Sequence, residues 1–194
     1  MMAGKIIRTR EELATDLLDQ DQRYRALVEN CSPDQLLWHR PGSWSITDCV
    51  QHVSLANSQY LAPIRQAVQS DKTSAGLATT LSTTGWFSSY FVANVVSAEK
   101  KKRFTAPKKI RPTPAAPDEA LQRLLNTHAE IRRLLASPGL PDLNRLRFKN
   151  PFVSVIRFTV ATGILVMAAH GRRHLMQAEA IREAAGFPIP AAAS

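Results

Sequence analysis

Four stretches of this 194-residue chain repeat their apolar residues at the spacing of an α-helix. The first begins near Thr9 and the second at Ser45, and in both cases an acidic residue three positions later matches the capping-box spacing. The third follows Pro117, and the fourth covers approximately residues 155–185. No convincing pair of β-strands accompanies these patterns. Four long amphipathic helices predict an all-α fold, a four-helix bundle.

The connection between the second and third helices, residues 71–116, is long for a bundle of this size. Residues 73–84 are rich in Ser, Thr and Gly and predict a loop, whereas residues 86–96 are apolar and aromatic and predict a short extra helix. A connection of this length is typical of a crossover or of a functional lid. We therefore predict one helical-bundle domain over residues 1–194, with a long crossover connection and a basic loop or insertion at 71–116.

The chain is basic, with a formal net charge of +9 from 25 Lys and Arg against 16 Asp and Glu. Much of this excess lies in one segment, residues 100–111, which indicates a solvated loop rather than a nucleic-acid-binding face. We expect no nucleic-acid partner. The longest apolar run, residues 158–169, is too short to cross a bilayer, so we expect no membrane insertion.

Composition favours a soluble globular protein, since 44% of the residues are hydrophobic and 21% are charged. This balance excludes a disordered chain, a collagen-like fibre and a polytopic membrane protein. Two cysteines, Cys31 and Cys49, are too few for a disulfide scaffold, and the N-terminal residues lack the apolar core of a signal peptide. We therefore expect a cytoplasmic protein.

The sharpest chemical feature is a pair of histidines, His170 and His174, in the fourth helical pattern. A spacing of four residues places both imidazoles on one helix face, one turn apart, and this face is also the apolar one. An unpaired buried imidazole costs about 1–3 kcal/mol, so such a pair needs hydrogen-bond partners or a metal ion. The spacing alone is compatible with both: two hydrogen-bonded core histidines, or two metal ligands.

His52 is the natural third ligand, because it lies mid-helix in the second pattern and facing helices of a bundle bring such side chains together. Three histidines leave one position open on a tetrahedral zinc ion, as in catalytic rather than structural sites. That position can hold a water, whose pKa then falls toward about 7, or bind a thiolate. Taken alone, His52 is also compatible with an ordinary polar residue.

Three further residues lie near this pattern. His128, on the apolar face of the third helix, is a candidate for a base beside a metal-bound water, the alternative being a hydrogen-bonded boundary histidine. Cys49, one turn before His52, is compatible with approach to the metal and with packing as a small buried hydrophobe. Asp48 is predicted to be a helix-start carboxylate rather than a ligand.

Two motifs resemble signatures of the DinB-like superfamily. Residues 44–53, WSITDCVQHV, resemble its "WSxxxxxxHl" signature, and residues 168–177, AAHGRRHLMQ, resemble its C-terminal "aaHxxrHlxqi" signature. The resemblance covers nearly the whole chain and implies a four-helix bundle with an unusual long crossover. It also implies a divalent metal ion held by the histidines of both motifs, His52, His170 and His174. Zinc or nickel is expected first, and iron also suits three imidazoles.

The superfamily is similar in fold to bacterial thiol transferases that use bacillithiol or mycothiol, and to metal-dependent isomerases. The resemblance therefore implies a metal-dependent thiol S-transferase or hydrolase that acts on a small electrophilic molecule, with a low-molecular-weight thiol as a candidate cofactor. Many members are dimers, so we expect a homodimer. The alternative is a non-catalytic, stress-linked module that binds a metal or ligand. Residues 150–154, NPFVS, depart from the family pattern because the Gly expected after the aromatic residue is absent.

Overall fold

The computed structural model describes residues 4–71, 79–96 and 105–189. The helices of these residues are α1 (Arg10–Glu29), α2 (Pro33–Leu37), α3 (Ile46–Gln69), α4 (Gly85–Tyr90), α5 (Pro117–Ala136) and α6 (Val160–Arg182), with a π-helical turn at Phe91–Val96 and a 3₁₀ turn at Lys108–Ile110. The four long helices, α1, α3, α5 and α6, form a bundle, which confirms the predicted four-helix bundle. Helices α1 and α3 each pack against both α5 and α6, so that α1 and α3 occupy opposite corners.

The predicted helix starts of α1 and α3 are confirmed in atomic detail. The Thr9 hydroxyl accepts a hydrogen bond from the backbone N–H of Glu12, and the Ser45 hydroxyl accepts one from that of Asp48. Each acidic side chain in turn accepts a hydrogen bond from the N-cap N–H, which completes both capping boxes. The α3 helix continues beyond Pro63 to Gln69, so this proline does not end it.

The expectation of no strand pairs is wrong, because two small antiparallel pairs lie beside the bundle. They escape sequence patterning because each strand has three residues, too few to show an alternation. One strand falls in the stretch predicted as a loop, and another replaces the predicted first turns of the fourth helix, which starts at Val160 behind its cap Thr159. The pairs join β1 (Ile7–Thr9) to β2 (Thr80–Ser82) and β3 (Arg147–Lys149) to β4 (Arg157–Thr159).

The long connection from α3 to α5 is partly described. Its apolar segment forms α4 and the π-helical turn, which confirms the predicted extra helix. The four consecutive basic residues at 100–103 lie outside the described residues, so only residues 105–111 of the basic segment 100–111 are described. None of the helices in the described ranges combines the length and apolarity that crossing a lipid bilayer requires.

A buried polar layer separates two apolar core clusters of the bundle. One cluster contains Leu13, Ile64 and Phe158, and the other contains Tyr24, Val50 and Leu175. Between them, near the middle of the long helices, lie buried polar side chains: Gln20 and Asp21 of α1, His52 and Asn57 of α3, Thr127 and His128 of α5, and His174 of α6. Buried polar groups are costly without partners, so the function is to be sought in this layer.

Candidate metal centre

Helices α3 and α6 bring the three predicted histidines together at one point of the polar layer. The Nε2 atom of His170 lies 3.2 Å from that of His52 and 3.1 Å from that of His174. The ring centroids of the three imidazoles are 4.6–4.9 Å apart. Each ring offers one nitrogen to a common point, and those ligand atoms all lie within 4.8 Å of one another.

The cluster is largely buried. His52 is 3% exposed and His174 is 7% exposed, while His170 is half-buried. Burial is the largest cause that lowers the pKa of all three imidazoles. Positive charge on His52 and Arg173 disfavours protonation of His170 and His174 as well, and together these effects lower the pKa of His174 to about 3. The three rings are therefore neutral at physiological pH, the form in which imidazole binds metals.

Two hydrogen bonds set which ring nitrogens face the common point. The Nδ1 atom of His52 donates to the carbonyl oxygen of Ile110 at 2.7 Å, and Nδ1 of His174 donates to Oε1 of Gln177 at 3.0 Å. Carbonyl oxygens only accept, so the hydrogen of each neutral ring lies on Nδ1 and the lone pair lies on Nε2. Such bonds orient metal-binding histidines in known sites.

Trp44, the first residue of the N-terminal motif, packs on the cluster. Its ring centroid lies 4.6 Å from that of His52 and 5.6 Å from that of His174. It is half-buried and lies just ahead of the N-cap of α3, so the helix start fixes its position beside His52. Trp44 thus covers two of the three imidazoles with apolar surface.

A cavity of about 1200 Å³ opens next to the histidines, which all line it. One part of its wall near the histidines, which we call the polar wall, consists of Ser43, Asp48, Arg173 and Gln177. The wall along the other end of α3 and α6 is mainly apolar and aromatic. Among the described residues, the site therefore combines a nitrogen cluster with a neighbouring open cavity.

The comparison with known families agrees with these observations. The sequence model of the DinB superfamily matches residues 17–178, which include all three histidines. The chain belongs to the DinB superfamily. No curated protein sequence matches it significantly.

A solved structure of this superfamily's fold is similar over most of the chain. YfiT from Bacillus subtilis, described as "a probable metal-dependent hydrolase with an unusual four-helix bundle topology", aligns with a TM-score of 0.60 and 16% sequence identity. The alignment covers 92% of this chain and 89% of YfiT. At this identity the likeness establishes the fold.

Two other residues considered from the sequence of this DinB-superfamily protein, His128 and Cys49, lie outside the cavity lining. His128 is fully buried, and its Nδ1 atom lies 2.6 Å from a carboxylate oxygen of Asp21, which also pairs with Arg132 at 2.5 Å. It does not line the cavity, and its described contacts do not include the three histidines. Cys49 packs in the apolar cluster around Tyr24. Of the two interpretations of Cys49, the structure supports packing as a small buried hydrophobe rather than approach to the metal.

Three residues that orient or cover the histidines were not among the predicted site residues. Ile110 contributes its backbone oxygen, which no sequence pattern reveals, and it comes from a 3₁₀ turn too short to be anticipated. Gln177 lies three residues after His174 and so on the same helix face, a spacing that could have identified it. Trp44 was part of the quoted motif, where packing at the start of the second helix was expected rather than contact with the histidines.

Proposed function

We propose that His52, His170 and His174 hold one divalent metal ion through their Nε2 atoms. The separations of 3.1 and 3.2 Å from His170 Nε2 to the other two support this. A tetrahedral ion bound at about 2.0–2.1 Å requires ligand nitrogens separated by about 3.3–3.4 Å. The donor set therefore fits zinc or nickel, and also iron, with small adjustments of the side chains.

The hydrogen-bonding pattern around the three rings supports the same proposal. Since Nδ1 carries the hydrogen in His52 and His174, both Nε2 atoms present lone pairs to His170. One N–H of His170 can donate a full hydrogen bond to only one of them. A cation accepts all three lone pairs at once, which removes the cost of an unpaired polar atom in a buried layer. The metal assignment rests on this one observation, the convergence of the Nε2 lone pairs of His52 and His174 on His170.

The chemistry of the site follows from the donor set and the neighbouring cavity. A divalent cation with three imidazole ligands keeps a coordination position available, where its Lewis acidity lowers the pKa of a water or a thiol. The chain's own residues would orient His52 through Ile110, orient His174 through Gln177 and exclude water on the Trp44 side. Arg173, on the cavity wall, is placed to attract an anionic group of a substrate.

We infer on this basis that the protein is a metal-dependent enzyme of the thiol S-transferase or hydrolase type. Its substrate would be a small electrophilic molecule bound in the cavity, and a low-molecular-weight thiol would be the co-substrate of the transferase reaction. Membership of the DinB superfamily and the description of YfiT as a probable metal-dependent hydrolase support this inference. The cavity supports it independently, since it brings solvent and small molecules to the histidines.

The test is an activity screen with zinc- and nickel-loaded protein. One arm measures conjugation of low-molecular-weight thiols to chromogenic electrophiles, and the other measures hydrolysis of activated esters and amides. We expect a metal-dependent rate in one arm. His174→Ala should abolish this rate while the melting temperature of the metal-free protein changes little. His39→Ala, at an exposed histidine that does not line the cavity, is the matched control. If metal binding raises the melting temperature but neither reaction is accelerated, the result would favour the alternative function, a non-catalytic module that binds a metal or ligand.

A further inference from the structure

The cavity continues past the histidines into a second region, which we call the inner chamber. It runs along α3 from His52 toward Tyr60, a distance of about two helical turns or about 12 Å. Its lining is mainly aromatic and aliphatic: Tyr60, Phe91, Phe152, Ile156, Phe158 and Met167.

Aromatic contacts hold the walls of the inner chamber in place. The ring centroids of Tyr60 and Phe152 lie 5.6 Å apart in a T-shaped arrangement, and those of Phe91 and Phe158 lie 5.5 Å apart. Phe158 and Tyr60 belong to the buried core of the bundle, at 1% and 3% exposure. A volume bounded by such side chains is an unfavourable place for water and a favourable one for an apolar group.

The size of the cavity points the same way. Pockets for drug-sized ligands are typically about 300–1,000 Å³. The cavity here, about 1200 Å³, exceeds what a small reactive group at the histidines would fill. The polar wall at Asp48, Arg173 and Gln177 lies at the end of the cavity away from Tyr60. The reason is that α3 and α6 run antiparallel, so that Asp48, before His52 on α3, lies on the same side as Gln177, after His174 on α6.

We propose that the inner chamber binds the apolar body of the substrate, an alkyl or aryl group of about the size of a hexyl or phenyl group. The reactive group of the same molecule lies at the three histidines, and the polar wall faces the hydrophilic co-substrate. The enzyme thus selects substrates by their apolar part. This inference rests on the proposed metal-dependent function, because it places the reactive group of the same molecule at the metal site.

The experiment uses the cobalt(II)-loaded protein and straight-chain thiols as probes: ethanethiol, butanethiol and hexanethiol. Binding of a thiolate to cobalt(II) gives an absorption band in the near ultraviolet, which reports occupancy without any catalytic turnover. If each added methylene enters the chamber, the affinity rises about fourfold per methylene, the factor equivalent to about 0.8 kcal/mol. Hexanethiol should then bind more tightly than ethanethiol by about two orders of magnitude.

A pair of variants on α3 locates the effect. Ala56 is buried, lines the cavity and lies one turn after His52, so Ala56→Phe should block the way into the chamber. This variant should bind ethanethiol as the wild type does and lose the preference for hexanethiol. Ala62 is exposed on the same helix and does not line the cavity, so Ala62→Phe should keep the full preference.

The outcomes separate the inference from the function on which it rests. Absence of a cobalt spectrum would overturn the proposed metal site and the inference with it. A cobalt spectrum without a thiol band would keep the metal site but overturn the proposed binding of thiols to it, and the inference with it. A thiol band of equal affinity for all three chain lengths in the wild type would overturn the chamber proposal alone. The wild-type series decides this even if Ala56→Phe does not fold. A preference that Ala56→Phe leaves intact would also overturn it, since the chain would then lie elsewhere.

Discussion

The Nδ1 atom of His52 lies 2.7 Å from the backbone carbonyl oxygen of Ile110, on the connection between α3 and α5. This contact joins the long connection to the candidate metal centre, since it leaves the lone pair of His52 on Nε2 and directs it toward His170. The return of the connection toward α5 is therefore part of the site. The connection also supplies Ile110 and Arg111 to the wall of the cavity.

Gln177 should strengthen metal binding by orienting His174. Its Oε1 atom accepts from Nδ1 of His174 at 3.0 Å, and removal of such an orienting partner typically lowers metal affinity by about 10–100-fold. Gln177 is exposed, so we expect Gln177→Ala to weaken zinc binding by about tenfold, at the lower end of that range. Competition with a coloured chelator measures the change. Gln122→Ala, at an exposed glutamine of α5, should leave the affinity unchanged.

Trp44 should report metal binding through its fluorescence. Its ring lies 4.6 Å from His52, so a nickel or cobalt ion at the histidines would quench it efficiently. We expect titration of the wild type to lower the tryptophan emission until the site is filled, and Trp44→Phe to lose most of this response. Trp86→Phe, at a tryptophan that is 57% exposed, should retain it. Equal quenching in both variants would place the ion elsewhere.

Gly171 should be required for close packing between α1 and α6. A Cβ atom at this position would overlap Oε1 of Gln20, whose Nε2 atom donates to the carbonyl of Ala168 and to Asp16. Moving the buried Gln20 amide breaks these bonds, so Gly171→Ala should lower the free energy of unfolding by about 1–3 kcal/mol. Urea denaturation measures this loss. In a Gln20→Ala background the same substitution should cost clearly less, and an equal cost would refute the explanation.

The two cysteines should differ in reactivity. Cys49 is fully buried, and burial raises the pKa of its thiol well above the ordinary value, so it carries almost no thiolate in mildly alkaline solution. Cys31 is half-buried and reachable. We expect iodoacetamide to label Cys31 in the folded protein and both cysteines after unfolding. Cys31→Ser should then show no labelling until it unfolds; labelling of its folded form would contradict the burial of Cys49.

The sequence predicted those features that rest on local chemistry or on periodicity. The capping boxes at Thr9 and Ser45 are short-range hydrogen-bond patterns, and the four helices follow from apolar spacing over many residues. The histidine pair on α6 is also local, since a spacing of four residues decides which face both share. His52 was predicted as the third ligand from the geometry of a helical bundle and from the family motif, because no local pattern links it to the other two histidines.

The features that the sequence did not reveal depend on contacts between distant segments. The strands β3 and β4 are three residues long and exist through pairing with each other, so neither has a recognisable pattern. The contact between His52 and Ile110 joins residues separated by 58 positions through a backbone atom. The inner chamber combines the connection, the β3–β4 region and two helices. The expected homodimer stays a prediction.

Elemental analysis of protein purified without a metal-affinity tag tests the central claim most directly. The wild type is compared with the His52→Ala, His174→Ala double variant, after zinc or nickel is added back and excess is removed. If the three histidines hold one metal ion, the wild type should contain about one equivalent of metal and the variant none. Equal metal contents in the two proteins, or no metal in either, would contradict it and leave the three histidines as hydrogen-bonded residues of the polar layer.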